Sequence, residues 1–457
     1  MPIDTEHPEY TAMSEKWIRC ADVMAGGDAV KAQSSEYLPM LGGQDGGEYS
    51  AYKKRALFFP ITSRTVDSWR GMVFRKPVQI DNNTDRIEAL LEDVTGTHCS
   101  FESFAQEAFD AQECYGRAGI YTTWPEDNPA NGRAFMRLYQ AQDIINWQGG
   151  RGADGHFIVL RIVLRETTQE AGEDVYTLEP VVRYRELLME EGAFIVRLWE
   201  EQETPNEDGS KWDYIESIPT YRGERLSKIP FELDAEIQAP PILPLVDANL
   251  HHYRLSADYA HGLHYCGLPT PWVAGFSAET ELRIGSATAW VSESTDARAG
   301  MLEFTGQGLT PLSEAMAQTV DYMAALGARG VQSDRKSAEA AETHRLRQSR
   351  EESSVAGVAV YLSSILTRAL RTMLFYSGEE AEDVEATLNT DLVSGKLSAQ
   401  ELQSLIAAYQ AGGMSFDTLQ YNLQQGEIAR PGIDAEEEKA SIEGDIAGVV
   451  MPMVEEG

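Results

Sequence analysis

Hydrophobic and polar positions along the chain alternate between a helical and a strand-like period. Up to about residue 116 the spacing is helical. A short pattern runs from Trp17 to Val23, ahead of Gly26-Gly27 and a loop-like Tyr37-Leu38-Pro39. The glycine-rich stretch Gly42 to Gly47 reads as flexible. Between Tyr49 and Phe74, the residues Tyr52, Ala56, Phe59, Val66, Trp69 and Val73 form a helical stripe, which Pro60 should kink or break. A further helix is predicted over about 99–116, with Phe101, Phe104, Ala108 and Phe109 on one face.

From about 118 to 232 the period shortens. The segments 119–124, 135–139, 157–164, 175–178, 181–185 and 194–199 are rich in β-branched and aromatic residues. Asn128-Pro129, Asp154-Gly155, Glu191-Gly192 and Asp208-Gly209 punctuate them. The pattern predicts an antiparallel meander or small sandwich, with a hairpin tip at 205–210. Pro230, Pro240-Pro241 and Pro244 mark an extended connector. Helical spacing returns over 246–264, with Leu250, Tyr253, Ala257, Ala260 and His264 on one face. A compact β segment follows, in 272–276, 289–291 and 300–304, and then a helix over 311–326.

After the polar break 327–337, residues 338–376 lack proline and carry a stripe of Val355, Val358, Leu362, Leu366, Ala369, Leu370 and Met373. A helix of that length spans roughly 55 Å and needs something large beside it. Residues 379–425 read as two or three short helices around Gly395 and Gly412-Gly413, and the acidic tail from Asp434 is expected to fray.

The fold class is α+β. The first helix, the β segment and the returning helix would make an antiparallel stalk tipped by a β unit. Each piece is too small to bury a core of its own, which favours packing against identical copies in a ring. A helical hairpin with a decorated loop is the plainer alternative.

Composition narrows the functions. The 457 residues allow two or three domains. No run approaches the roughly 18 apolar residues of a spanning helix. The N-terminus lacks a basic region followed by an apolar run, so neither a membrane partner nor a signal peptide is expected. Cys20, Cys99, Cys114 and Cys266 form no CxxC pair and read as free thiols, mostly buried. The net charge of −35 is opposite to that of a protein gripping DNA. It suits a wall past which a duplex slides without sticking, or simple solubility.

Candidate chemistry is sparse. His251, His252, Asp258, His261 and His264 form the best metal set by helical spacing, though without a known metalloenzyme pattern. Ordinary interface histidines are the competing reading. The break 327–337 carries Arg329, Arg335 and Lys336 beside Asp334, suited either to weak phosphate contacts or to a solvated loop. No nucleophile elbow, Walker A loop or dinucleotide fingerprint occurs, and no catalytic residue is assigned.

An ordered series of residues resembles the portal proteins of tailed bacteriophages. It comprises His7-Pro8-Glu9-Tyr10, Trp17, Gly26, Val30-Lys31, Tyr37-Leu38-Pro39, Tyr52-Lys53, Arg55-Ala56, Thr65, Trp69 to Gly71 and Val73 to Pro77. Pro244 to Tyr259 and the segment Gly285 to Gly308 are similar to the same family's stem entry and clip.

The resemblance implies a portal fold. It has a mixed α/β wing over 1–245, stem helices over 246–266 and 309–326, and a β clip over 267–308. It also has a tunnel loop over 327–337, a long wing helix over 338–378, and a helical C-terminal crown with an acidic tail over 379–457. It implies a homo-oligomeric ring, usually of twelve, at one capsid vertex of the virion, assembled in the host bacterial cytoplasm. Double-stranded DNA would pass without sequence preference, along Arg329, Gln332, Asp334, Arg335 and Lys336. Terminase large subunit and head-completion or adaptor proteins would dock at a clip bearing Trp272, Phe276, Trp290 and Phe304. Major capsid and scaffolding proteins would surround the ring. No cofactor is implied; with so much like charge, divalent cations are expected to assist ring assembly. A neck or adaptor protein and a metal-dependent hydrolase using the 251–264 histidines remain the competing functions.

Overall fold

Capping chemistry explains where the N-terminal helices begin and end. In the computed structural model, α1 (Pro8–Ala25) starts at a His7 cap, whose Nδ1 accepts from the Glu9 amide at 3.2 Å, with Pro8 in the first turn. The helix therefore starts well before Trp17, where the apolar pattern becomes visible. Gly26, at φ +100°, separates it from α2 (Gly27–Ala32).

Asp45 and Glu48 form a capping box that opens α3 (Gly46–Arg55). Gly46 and Gly47 are thus helical, not part of a flexible run. Pro60 does break the next stripe: α4 (Ile61–Val73) begins just after it. The helical phase is lost between Arg55 and Ile61, so Phe58 is buried where Phe59 was expected. Strand β1 (Gln79–Asp81) and α5 (Asp85–Leu91) lead to α6 (Phe101–Tyr115), capped by Ser100 and ended by Gly116 at φ +68°.

The described residues are 2–124, 133–151, 157–172, 176–202, 210–233, 237–268, 270–276, 290–291, 294–302, 306–327, 341–379, 381–392, 399–426, 428–430 and 435–449. They fall into two compact units, Met1–Thr390 and Asp391–Gly457.

In the first unit the strand-rich region forms two main sheets rather than one. Strands β2 (Ala118–Thr123) and β3 (Phe135–Gln140) pair antiparallel. Strands β4 (Ile144–Arg151), β5 (Phe157–Ala171), β6 (Leu178–Glu190), β7 (Ala193–Glu201) and β8 (Trp212–Ser217) make the predicted antiparallel meander in chain order. The expected tip at 205–210 falls almost wholly outside the described residues, but the Glu201–Trp212 pair brackets it. A hairpin of β9 (Thr220–Tyr221) and β10 (Glu224–Arg225) follows. Strand β11 (Phe231–Glu232) then adds to β2, completing the smaller sheet.

Helix α7 (Leu243–Gly267) takes Pro244 into its first turn, so the proline belongs to the helix and not to the connector. Next come β12 (Thr270–Ala274), β13 (Arg298–Leu302), α8 (Leu309–Ala325) and the long α9 (Ala341–Ser377). On α9, Leu362, Ile365, Leu366, Ala369, Leu370, Met373 and Leu374 are fully buried against α6, β2 and β11. Its stretch Ser354–Ser377 has the length and apolar composition of a membrane span. Here the apolar stripe is the core of the unit.

One boundary moves. Strand β14 (Glu385–Thr387) pairs with β1, and Val384, Ala386 and Leu388 are buried, so residues 379–390 belong to the first unit and not to a C-terminal piece. The second unit holds α10 (Ala399–Gln410), α11 (Phe416–Gln425) and α12 (Ala435–Val449). The acidic segment expected to fray is helical as α12, and Lys439 pairs with Asp417 at 3.1 Å.

Candidate functional site

The first half of α7 is rooted in the N-terminal helices. Asn249 Nδ2 donates to Thr62 Oγ1 (3.0 Å), Ser256 Oγ donates to the Leu57 carbonyl (2.7 Å), and Arg254 Nε donates to the Tyr37 carbonyl (2.8 Å). Arg19 pairs with Asp247 at 2.8 Å. Leu245, Val246, Leu250, Tyr253 and Ala257 are buried here. Beyond Ala257 no described side chain of α7 is buried, although Asp258, His261 and His264 still touch α3, and only the residues after His264 run clear of it.

Helix α8 returns alongside. A Cβ on Gly262, near the end of α7, would meet Leu309 at the start of α8 at 2.7 Å, while Asp247 and His251 face Gln318 and Tyr322 across a groove. The two helices are therefore antiparallel. Only Thr319, Met323 and Ala324, near the root, are buried on α8.

At the tip, β12 and β13 pair antiparallel from Thr270–Leu302 to Ala274–Arg298. No side chain described in either strand is buried. The Trp272 indole lies across Gly300, its cross-strand partner, where a Cβ would approach it within 2.9 Å. Large apolar side chains stay open along the arm: Leu268 is 62% exposed, Tyr322 56%, Leu302 52% and Trp272 45%. A two-stranded ribbon with both faces wet is marginal by itself.

Of the residues assigned to the clip, Trp272 is exposed on β12, while Phe276 and Trp290 are half-buried and lie in no strand. Phe304 lies outside the described residues. So does the tunnel-loop set Arg329, Gln332, Asp334, Arg335 and Lys336.

The histidines do not assemble as a metal site. Asp258 accepts from the buried Tyr52 hydroxyl at 2.5 Å, and His264 Nε2 contacts the Arg55 guanidinium at 3.1 Å. His261 packs edge-on against Tyr52 and Tyr265, and His252 packs against Phe59. Burial holds His252 below the ordinary imidazole value, helped by His251. Burial and the Arg55 charge do the same for His261. His251 is exposed. Among the described residues, no three His, Cys, Asp or Glu side chains converge on a point that could hold a metal. The partners that break up the set, Tyr52 and Arg55, lie some two hundred residues away in sequence, where helical spacing gives no warning of them.

The four thiols are unpaired; Cys20 and Cys114 are buried, and burial pushes Cys20 up to about 12. Sequence reasoning also passed over a basic run in and after the β9–β10 hairpin, Arg222 to Lys228, whose signal was the cluster of cations in an acidic chain.

Residues 241–377 match a family described as a domain of unknown function (DUF4055). That stretch holds the whole arm and α9. Comparison with curated proteins gives no match. Solved structures similar to this chain include the virion of a native gene transfer agent particle, with TM-score 0.36 and 13% identity over 86% of this chain and 98% of that chain. The neck of an empty gene transfer agent particle computed with C6 symmetry gives TM-score 0.39 and 16% identity, over 84% and 95%. The neck of a native particle computed with C12 symmetry gives 0.37 and 15%, over 80% and 89%. At these scores and identities none of the likenesses carries a role to this chain.

Proposed function

We propose that the chain is a subunit of a tailed-phage portal, a ring of identical copies at one capsid vertex through which DNA is packaged and ejected. The role is structural, not catalytic. Helices α7 and α8 form the stem, and β12 with β13 forms the clip, where terminase large subunit and then head-completion proteins dock. The loop 327–337 faces the DNA channel, and the ring sits in the virion among major capsid and scaffolding proteins.

One observation carries the reading. The arm leaves its body with apolar side chains open on both helices and on the ribbon, and a ribbon lacking a core needs neighbours. Copies about an axis supply the same surface repeatedly and close without loose ends. The series of residues resembling portal proteins adds independent support and includes the Pro244 to Tyr259 stretch that builds α7.

Negative-stain imaging of the purified chain, with mass measurement in parallel, tests this. Annular particles with a central hole are expected. Solitary subunits at every concentration would overturn the reading. A ring that binds finished heads but not terminase would assign the chain to the neck adaptors instead.

A further inference from the structure

A second surface gathers positive charge on a chain whose balance is −35. In and after the β9–β10 hairpin, Arg222, Arg225 and Lys228 lie within seven residues, and all three are exposed. None pairs with a carboxylate among the described residues. Arg371, near the end of α9, gives its Nε to the Val384 carbonyl at 2.8 Å and also lacks an acidic partner there. Beside it Arg368 is held by Glu232 at 2.6 Å.

Arg225, Lys228 and Arg371 line a cleft of about 470 Å³. A second cavity of about 510 Å³ adjoins it, with Phe194, Ile218 and Pro219 among its walls. Tyr221, Leu226 and Tyr376 line both, so a mainly apolar compartment, with Arg222 at its wall, adjoins a cationic one. Tyr221 packs at a tilt against Phe375 with centroids 4.6 Å apart, yet Phe375 is still 51% exposed.

Cations with no carboxylate partner among the described residues, beside an open apolar cavity, ask for a ligand that is anionic and apolar at once. Nucleic acid fits poorly. The cavities are concave at the size of a few side chains rather than a stripe tracking a backbone, and Glu232, on the same cleft, is already held by Arg368. A peptide fits both compartments.

We infer that this double pocket docks an extended acidic segment of a partner protein. An apolar anchor side chain enters the 510 Å³ cavity, and flanking carboxylates meet Arg225, Lys228 and Arg371. The inference does not depend on the ring.

The test uses the full chain and a fluorescein-labelled hexapeptide with a Phe-Leu pair flanked by glutamates, read by fluorescence anisotropy. Binding that weakens as salt rises is expected, with a ten-fold or greater loss in the double variant Arg225→Glu/Lys228→Glu. Both positions are on the surface, so the fold should survive, which a melting curve checks. A peptide with Gly-Gly in place of Phe-Leu should lose as much. The inference is overturned if the acidic peptide does not bind the native chain, if the double variant binds it equally, or if the Gly-Gly peptide binds as well as the original. Displacement of the peptide by a single-stranded oligonucleotide would reassign the pocket to nucleic acid. A changed oligomeric state in the double variant would make a second copy the occupant. A chain that stays monomeric yet binds the peptide would sink the portal reading and leave this one standing.

Discussion

Glu113, on α6, is a carboxylic acid without a side-chain partner among the described residues, in a nearly dry place. It is 3% exposed, its Oε1 has no hydrogen-bond partner, and burial, with Asp110 nearby, pushes its pKa up to about 7. A carboxyl that binds its proton more tightly when folded costs stability as pH rises from near its unfolded value of 4.5 to 7, and the full penalty persists above that. Glu113→Gln should therefore match the native chain near pH 4.5 and be the more stable by up to about 3 kcal/mol at pH 8. Thermal melts at the two pH values check this, and equal melting at pH 8 would refute the assignment. At this scale the sequence was a good guide to the core. Trp17, Tyr52, Val66, Phe101, Phe104 and Phe109 are buried as their spacing implies. It was a poor guide to the histidines. Helical spacing can bring Asp258, His261 and His264 to one face, but Tyr52 and Arg55 of α3 take two of them.

At the scale of elements, the arm behaves as two rods with apolar side chains that the other described residues leave open. If the proposed ring forms through the arm, replacing Trp272 and Met301 on the ribbon by glutamate should raise the concentration for its half-assembly ten-fold or more, equivalent to about 1.4 kcal/mol. The body should melt as before, since both side chains stand clear of the core. Sedimentation together with circular dichroism separates the two effects; unimpaired rings would mean that the ribbon makes no contact between copies. Helices α6, α7, α8 and α9 and the meander were legible because each keeps one period over many residues. Strand β14 was not. Its three residues carry too little pattern, and its partner β1 lies some three hundred residues earlier.

For the whole molecule, charge is the dominant fact. In the ring proposed above, copies at −35 each would repel one another, and closure would concentrate that charge. Added salt shortens the screening length to about 10 Å at 0.1 M, so ring formation should rise from low to moderate salt, and rise again with millimolar magnesium. Size-exclusion chromatography across a salt series, with and without chelator, reads this directly. An oligomer indifferent to both would show that like-charge repulsion does not limit assembly.

The sequence alone determined the α+β class, the order of helix, ribbon and returning helix, and the apolar stripe of α9, because local periodicity and capping act between near neighbours. Tertiary structure decided what periodicity cannot encode. It split the strand region into two sheets, drew residues 379–390 back onto β1, and placed Tyr52 and Arg55 against the histidines. It also set Arg225, Lys228 and Arg371 beside an apolar cavity. Each of those contacts joins residues far apart in the chain, and only the packing of the finished core brings them together.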